Sequence, residues 1–267
     1  MWHFRIGADG MERSLARNEV TRIGLDAKFN HAGLRQGLTP ATLRKLDAIS
    51  RLRVFPRDAV VVPQGAALEY VGNVVRGVLR MDRLLSDGRS QIVGLLVPSD
   101  MFGRVFSERS DYSIEAATEV TLCCFERHAF ETLVRTCPDL EHAVLLAVLD
   151  ELDAAREWIT LRAGATVAAR LATYLLMLCR RWPHQTSELT HDAQRIIVNV
   201  PIARNDLAHY LGTTVESISR TVQAFSRDGM ISILTPLRFE ILDLPGLIVM
   251  SDNDEFDAAS LLAGLRG

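Results

Sequence analysis

Between residues 54 and 125 the chain alternates short apolar runs, rich in β-branched residues, with turn-forming glycine, proline and aspartate. Runs of this kind, bounded by turn signals, are typical of β-strands. The clearest of them occupy positions 60–62, 74–75, 78–81, 91–97, 113–116 and 120–125. About eight short strands within about 70 residues predict an antiparallel roll of the jelly-roll type.

Helical spacing flanks this region on both sides. Thr39 and Pro40 form a helix start, with threonine as the N-cap and proline in the first turn. Pro138 opens a longer helix, whose apolar residues repeat at intervals of three and four in the heptad pattern of a dimerisation helix. The residues of this seam are Leu145, Val148, Leu152, Ala155 and Ile159. Periodicity alone leaves an ordinary core helix equally open.

A helix over 167–178, a polar loop over 184–193 and a strand over 196–200 are predicted next. Two short helices follow, 203–211 and 215–225, and Gly212 between them suits a helix C-terminus that needs positive φ. Thr213 or Thr214 can cap the second of these helices, with Glu216 at capping-box distance from Thr213. Its faces differ in polarity: Ile218, Val222 and Phe225 point inward, and Glu216, Ser219, Arg220 and Gln223 point outward.

Two helices joined by a tight glycine turn form a helix-turn-helix pattern, whose second helix enters the major groove of DNA. Arg220 can donate two hydrogen bonds to guanine, and Glu216, one turn away, can accept one from cytosine. A solvated ion pair between these two residues, on an ordinary helical hairpin, is the alternative. Runs at 231–234 and 239–242 predict a β-hairpin, which makes the unit a winged module and favours DNA binding.

Composition and charge limit the remaining classes. A chain that is 48% hydrophobic and 24% charged is ordinary for a globular protein, and its net charge of −3 leaves DNA binding to a local basic face. No run approaches the roughly 18 apolar residues of a membrane span, and the N-terminus lacks the apolar core of a secretory signal. We therefore expect a cytoplasmic protein without a membrane partner.

The order of roll, long helix and winged helix-turn-helix resembles the CRP/FNR superfamily of bacterial transcription regulators over about residues 38–245. Residues 76–80 (RGVLR), 85–92 (LSDGRSQI) and 206–212 (DLAHYLG) are similar to characteristic stretches of that family. The most specific stretch is 215–220 (VESISR), which resembles the recognition helix of the FNR and FixK branch.

In that branch, residues at the places of Glu216, Ser219 and Arg220 read TTGAT-type half-sites. The resemblance thus implies an α+β homodimer that binds TTGAT-N4-ATCAA-like palindromes and acts as an activator with RNA polymerase. Candidates for contacts to the DNA backbone are Arg204, Asn205, Thr213, Thr214 and Arg227. The implied division is an N-terminal extension (1–37), a cyclic-nucleotide-binding-like β-roll (38–137), a dimerisation helix (138–163), the winged helix-turn-helix (164–245) and an acidic C-terminal tail (246–267), expected to be solvated with a short terminal helix.

The resemblance also bears on cofactors. Where the cyclic-nucleotide branch has a glutamate in its phosphate-binding cassette, this chain has Arg104, and no phosphate-binding arginine is evident, although Arg104 or Arg109 remains open to another anion. The oxygen-sensing branch takes three cluster thiolates from its N-terminal extension, but residues 1–122 contain no cysteine, and only Cys123 or Cys124 lies near the fourth ligand. We therefore expect no cofactor and place the chain with the cluster-free, FixK-like members.

Other interpretations remain to be weighed. Cys123 and Cys124 are expected to be buried strand neighbours, with redox sensing as the alternative, and Cys137 and Cys179 likewise. The roll could instead bind a nucleotide, haem or other small ligand that gates the DNA-binding domain. An enzyme is disfavoured, because no histidine lies between Gly65 and Gly103 to build a cupin metal site and no P-loop, GxSxG or HExxH motif occurs.

Overall fold

The computed structural model describes residues 33–86, 88, 90–163, 166–181, 187–190, 193–253 and 256–266. The chain divides into two compact units, one formed by residues 1–81 and 95–150 and the other by residues 82–94 and 151–267. Most of the predicted N-terminal extension lies outside the described residues, and its last part contains a short 3-10 helix, Gly33–Arg35.

Helix α1 (Pro40–Ile49) begins as predicted, because the Thr39 side chain accepts a hydrogen bond from the backbone of Thr42. The described residues then contain eight strands: β1 (Ser50–Phe55), β2 (Val60–Val62), β3 (Tyr70–Arg76), β4 (Leu79–Leu84), β5 (Ser90–Leu96), β6 (Met101–Phe102), β7 (Ser113–Ala116) and β8 (Val120–Glu126). They form two four-stranded sheets, of order β1-β8-β3-β6 and β2-β7-β4-β5. The pairings of β8 with β1 and β3 are antiparallel, so the predicted roll is confirmed.

Strand β8 supplies side chains to two apolar clusters because successive residues of a strand point to opposite faces. Leu122 and Cys124 lie in one cluster. Cys123 and Phe125 lie in the other, where the Phe125 ring stacks on Phe130 with centroids 5.1 Å apart. Phe130 belongs to α2 (Arg127–Thr136), so the second cluster fixes this helix on the roll.

The long helix α3 (Pro138–Ala163) has the bounds that the sequence predicts. Its seam is exposed in the part of the chain that the structure describes, with exposed fractions of 45–61% for the four larger residues. The seam consists of Leu145, Val148, Leu152, Ala155 and Ile159. An ordinary core helix buries such residues, so their exposure favours a surface that a partner covers.

Asp139, in the first turn of α3, ties this helix to α1. Its carboxylate accepts hydrogen bonds from Thr39 N (2.8 Å), from Thr42 Oγ1 (2.9 Å) and from Leu140 N (3.0 Å). These bonds, that from the Thr39 backbone foremost, lower the pKa of Asp139 from 3.8 to about 2.

The Asp139 contacts should make stability pH-dependent in strongly acidic solution. Because the folded-state pKa lies below the unfolded value, the contribution is complete above about pH 4 and is lost as the pH falls toward 2. In Asp139→Asn, we expect a lower thermal midpoint at neutral pH and a shallower decline below pH 4. Scanning calorimetry measures both, with Asp150→Asn, an exposed acid of the same helix, as control. Equal pH profiles for wild type and Asp139→Asn would contradict the assignment.

The second unit contains α4 (Val167–Arg181), β9 (Ser187–Thr190), β10 (Ala193–Asn199), α5 (Arg204–Leu211), α6 (Val215–Arg227), β11 (Ile231–Thr235), β12 (Arg238–Ile241), α7 (Leu244–Ser251) and α8 (Ala258–Arg266). Its sheet has the order β11-β12-β10-β9, so the predicted hairpin is confirmed. Strand β9 corrects the predicted loop over 184–193. A polar sequence is compatible with this strand because β9 pairs with β10 through main-chain groups.

The C-terminal segment differs from the expected solvated tail. Leu247 is completely buried, and Phe256 and Leu261 are 6% and 5% exposed. Helix α7 packs against α4, and the Arg180 guanidinium lies 5.2 Å from the centroid of the Phe256 ring. The apolar residues pack while Asp252 and Asp257 remain exposed, and the Asp257 carboxylate accepts a hydrogen bond from the Ser260 amide at the start of the expected terminal helix α8.

Candidate nucleic-acid interface

The turn between α5 and α6 has the glycine geometry that the sequence predicts. Gly212 has φ +64° and ψ +47°, a left-handed conformation that glycine adopts at little cost. Its amide donates to His209 O, and the Thr213 amide donates to Ala208 O. The last carbonyl groups of α5 are therefore partnered as the chain turns toward α6.

The N-terminus of α6 corrects the predicted capping box. The cap is Thr214, whose Oγ1 accepts from Ser217 N at 3.2 Å. Because α6 begins at Val215, Ser217 and not Glu216 is the third helical residue, and the pairing of Thr213 with Glu216 is wrong. Of the two threonines left open by the sequence, Thr214 therefore has the role.

The two faces of α6 are divided as predicted. Ile218, Val222 and Phe225 are at most 2% exposed. The residues predicted to point outward, Glu216, Ser219, Arg220 and Gln223, are all exposed. The packed inner face fixes the helix on its unit, so the outer side chains stand at set positions along one line of the surface.

Arg220 makes a contact that the sequence did not indicate. Its Nη2 donates to Ser217 Oγ at 3.4 Å, and the same hydroxyl lies 3.0 Å from Thr214 Oγ1. Within the described part of the chain, Glu216 and Arg220 form no ion pair, so the proposed brace between them is absent. Ser217 was missed because its partners are a cap and a long side chain, which are visible only once the first helical residue is known.

The candidates for contacts to the DNA backbone are placed differently from one another. Asn205 and Thr214 are exposed near the first residues of α5 and α6, Thr213 is half-buried, and Arg227 is exposed at the end of α6. An exposed amide, hydroxyl or guanidinium at these places is free to approach a phosphate. Arg204 is the exception among the five.

Arg204 contacts the β11–β12 hairpin, which is the wing of the winged module. Its Nε donates to Pro236 O at 3.0 Å, and its guanidinium lies 5.7 Å from the centroid of the Phe239 ring. Burial also lowers the pKa of the Arg204 guanidinium. The side chain thus braces α5 against the β11–β12 hairpin, and the sequence-based role of a free phosphate contact needs this correction.

Removal of the Arg204 brace should therefore act first on stability. In Arg204→Ala we expect the second unit to lose about 1–2 kcal/mol, from one charge-assisted hydrogen bond and the contact with the ring. Urea unfolding followed by fluorescence measures this loss. Asn205→Ala, at the exposed neighbouring position, should change the unfolding midpoint little. Equal midpoints for the two variants would show that Arg204 does not hold the wing.

The region that corresponds to the phosphate-binding cassette contains two arginines, Arg104 and Arg109. Arg104 is 73% exposed and pairs with Asp111 at 3.3 Å, and Arg109 Nη1 donates to Gly65 O at 2.9 Å. Both guanidinium groups already have partners, and Arg104 carries the wrong charge to accept from ribose hydroxyls. These residues fit a cyclic nucleotide poorly.

The cysteines are equally unsuited to bind a cluster. All four are buried. Burial raises the pKa of Cys123 to about 11 and that of Cys124 to about 12, so neither thiol is a ready thiolate. Among the described residues, no three His, Cys, Asp or Glu side chains lie together as metal ligands.

No helix in the described ranges is both long and apolar enough to cross a bilayer.

Comparison with known proteins agrees with this arrangement. Residues 52–137 match the model of the cyclic nucleotide-binding domain, and residues 169–250 match the Crp-like helix-turn-helix domain. The chain is 31% identical over 229 residues to the transcriptional activator protein FnrL of Cereibacter sphaeroides, covering 86% of this chain and 92% of that protein. It is 30% identical over 224 residues to the nitrogen fixation regulation protein FixK of Bradyrhizobium diazoefficiens, covering 81% and 92%.

The fold is also shared with solved structures. FixK2 from Bradyrhizobium japonicum superposes with a TM-score of 0.66 at 24% identity, over 76% of this chain and 97% of that chain. A CooA mutant from Carboxydothermus hydrogenoformans gives 0.64 at 18% identity, over 87% and 98%. The chain is thus a regulator rather than an enzyme, and with its α+β fold and helix-turn-helix DNA-binding domain it belongs to the CRP/FNR family of transcription regulators.

Proposed function

We propose that the protein is a homodimeric activator that recognises inverted repeats of the TTGAT-N4-ATCAA type. The observation that carries this proposal is the outer face of α6, where Glu216, Ser219 and Arg220 are exposed on a helix that is capped and packed on its other side. An α-helix with a fixed inner face and polar outer face fits the major groove.

The chemistry of these side chains matches the proposed half-site. Arg220 presents two donors to O6 and N7 of a guanine, and Glu216 accepts from N4 of a cytosine. Ser217 holds the Arg220 guanidinium from the side at 3.4 Å. A side chain that is partly held before binding loses less conformational entropy when it meets the base edge.

The exposed seam of α3 supports the dimer. Packing two copies of Leu145, Val148, Leu152, Ala155 and Ile159 about a two-fold axis removes a line of apolar side chains from water without burying a charge. A two-fold protein matches a palindrome whose half-sites lie one helical turn apart, about 34 Å. No effector is needed to offset charge in such a seam, so we infer that DNA binding is constitutive.

Activation is inferred from the relatives. FnrL is named a transcriptional activator, and FixK a regulator of nitrogen fixation. We propose that this chain likewise activates transcription by contact with RNA polymerase. A regulator that binds the bacterial chromosome in this way acts in the cytoplasm.

We further propose that the protein works without a cofactor, as a cluster-free member of the FNR and FixK branch. Two features support this proposal. In the cassette region, Arg104 pairs with Asp111 and Arg109 donates to the Gly65 carbonyl, and the thiols of Cys123 and Cys124 are buried. Calorimetric titration with cyclic AMP and cyclic GMP should give no heat of binding, and protein purified without oxygen should contain no stoichiometric iron. An effect of either nucleotide on DNA affinity would favour the effector-gated alternative.

DNA recognition is tested by fluorescence anisotropy with a duplex carrying the palindrome and with a scrambled duplex of the same composition. At moderate ionic strength we expect binding to the palindrome to be tighter by at least about a thousandfold, which is the lower end for specific regulators. Both affinities should fall as salt rises, because phosphate contacts release counterions. Equal affinity for both duplexes would refute the proposed function.

A further inference from the structure

We propose that Arg162, near the end of α3, is a positioning residue for the DNA-reading helix. Its Nη1 lies 3.4 Å from the carbonyl oxygens of both His209 and Tyr210, in the last turn of α5. The inference rests on the proposed function, because it concerns how α6 is held for base reading. Nothing in the sequence pattern indicated this contact, which spans 47 residues.

Electrostatics favour a guanidinium at the end of α5. The carbonyl groups in the last turn of a helix carry partial negative charge, so a cation beside them is favourable even where a main-chain amide already donates to one of them. Arg162 supplies a guanidinium at this place, and its Nη1 donates to both carbonyl groups. It thereby supplements the main-chain bonds that close α5.

The Arg162 guanidinium also lies against Gly212 in the turn. A Cβ built on Gly212 would lie 2.6 Å from Arg162 Nη1 and 2.7 Å from Cζ, so the guanidinium rests directly against the turn. Glycine at this place therefore does two things: it adopts φ +64° and it leaves room for Arg162. A larger residue at position 212 would therefore push the Arg162 guanidinium away from the turn.

Arg162 is itself held by its surroundings on α3. Its neighbour Leu161 is 1% exposed, and the Arg162 guanidinium lies 5.4 Å from the centroid of the Trp158 ring. One turn earlier, Glu157 forms an ion pair with Arg180 of α4. The last turns of α3 are thus attached to α4 through Glu157 and to α5 through Arg162, and Arg162 is the residue that reaches the turn.

We expect the Arg162 contact to affect the direction of α6 more than the overall affinity for DNA. Helix α6 begins three residues after Gly212, so the direction of the helix that carries Arg220 depends on the turn. Leu152, Ala155 and Ile159 of the seam lie on the same helix as Arg162. We call the contact of Arg162 with the His209 and Tyr210 carbonyl groups the clamp. The clamp connects the helix that would line the two-fold axis to the turn before the base-reading helix. It should therefore sharpen both the discrimination between DNA sequences and the preference for one half-site spacing.

The test uses the full-length protein and three variants: Arg162→Met, which keeps the aliphatic stem and removes the donors; Arg162→Lys, which restores the charge; and Arg156→Met as control. Arg156 is exposed on the same helix and pairs only locally, with Asp153 at 3.0 Å. Anisotropy is measured on the palindrome, on a scrambled duplex and on a palindrome with one base pair added to its spacer. Sedimentation and circular dichroism report whether each variant remains a folded dimer.

For Arg162→Met we expect affinity for the palindrome to fall by roughly fivefold, the size of a cation–helix effect, with scrambled DNA almost unchanged. The penalty for the longer spacer should shrink, a loss of geometric stringency that destabilisation alone would not produce. Arg162→Lys should recover most of the difference, and Arg156→Met should match wild type.

The outcomes separate the two proposals. If wild type shows no preference for the palindrome, the proposed function fails. If wild type prefers it and Arg162→Met behaves like Arg156→Met on all three duplexes, the clamp is refuted while the function stands. Should Arg162→Met fail to fold, amide hydrogen exchange over residues 209–217 in Arg162→Lys decides: exchange faster than in Arg156→Met supports the clamp, and equal exchange refutes it.

Discussion

Replacing Leu152 with glutamate should convert the proposed dimer into monomers and abolish binding to the palindrome. Leu152 is central in the seam of α3 and 45% exposed in the single chain. By symmetry, each dimer would lose the burial of two leucines, worth about 0.7–1.4 kcal/mol apiece because only the exposed 45% of each remains to be covered, and would have to desolvate two like charges. Sedimentation velocity measures the mass, and anisotropy measures DNA binding by the same sample.

The control for this variant is Val249→Glu. Val249 is an apolar residue of α7 that is 81% exposed and outside the seam, so the same kind of substitution is made without touching the proposed interface. It should leave both mass and affinity at the wild-type values. An unchanged dimer in Leu152→Glu would show that the two-fold axis does not follow this seam.

Replacing Arg220 with alanine should remove most of the preference for the G·C pair of each half-site. A bidentate contact to guanine discriminates against a wrong base by about 1–3 kcal/mol, and the palindrome contains two such contacts. Anisotropy on duplexes that carry each of the four base pairs at this position gives the preference directly. Wild type should rank them steeply, and Arg220→Ala should bind all four with nearly equal affinity.

Arg227→Ala is the matched comparison, because Arg227 is an exposed arginine on the same helix but lies at its far end. A phosphate contact carries no sequence information, so this variant should weaken all duplexes alike and reduce the salt slope by about one. Equal losses of specific and scrambled binding in both variants would show that Arg220 contacts the backbone and does not read a base.

Features governed by near neighbours in the chain could be predicted from the sequence. Thr39 with Pro40 set the start of α1, Gly212 set the end of α5, and the polarity of α6 set its buried face. The alternation of β-branched runs and turns likewise gave the roll. Each of these depends on contacts within about four residues, or on a period that repeats along one element.

Features that depend on distant partners were not accessible in this way. Arg204 has the same local context as a free phosphate ligand, and only the position of Pro236 shows that it braces the wing. The acids near Asp252 obscured the buried Leu247, Phe256 and Leu261 of the C-terminal segment. The capping residue was ambiguous because two adjacent threonines satisfy the same rule, and a shift of one residue changes its partner.

The position of the cap at Thr214 affects how the DNA target preference of the protein can change. Because Thr214 and Ser217 form the N-terminal cap of α6 between them, Glu216 has no part in the cap and supports the helix only through its charge in the first turn, worth about 0.3–1 kcal/mol. Its carboxylate is left available to the operator, and its replacement costs the fold little. Randomising this one codon should therefore yield regulators that remain equally well folded while selecting different promoters, so the determinants of folding and of promoter choice lie on neighbouring but separate residues.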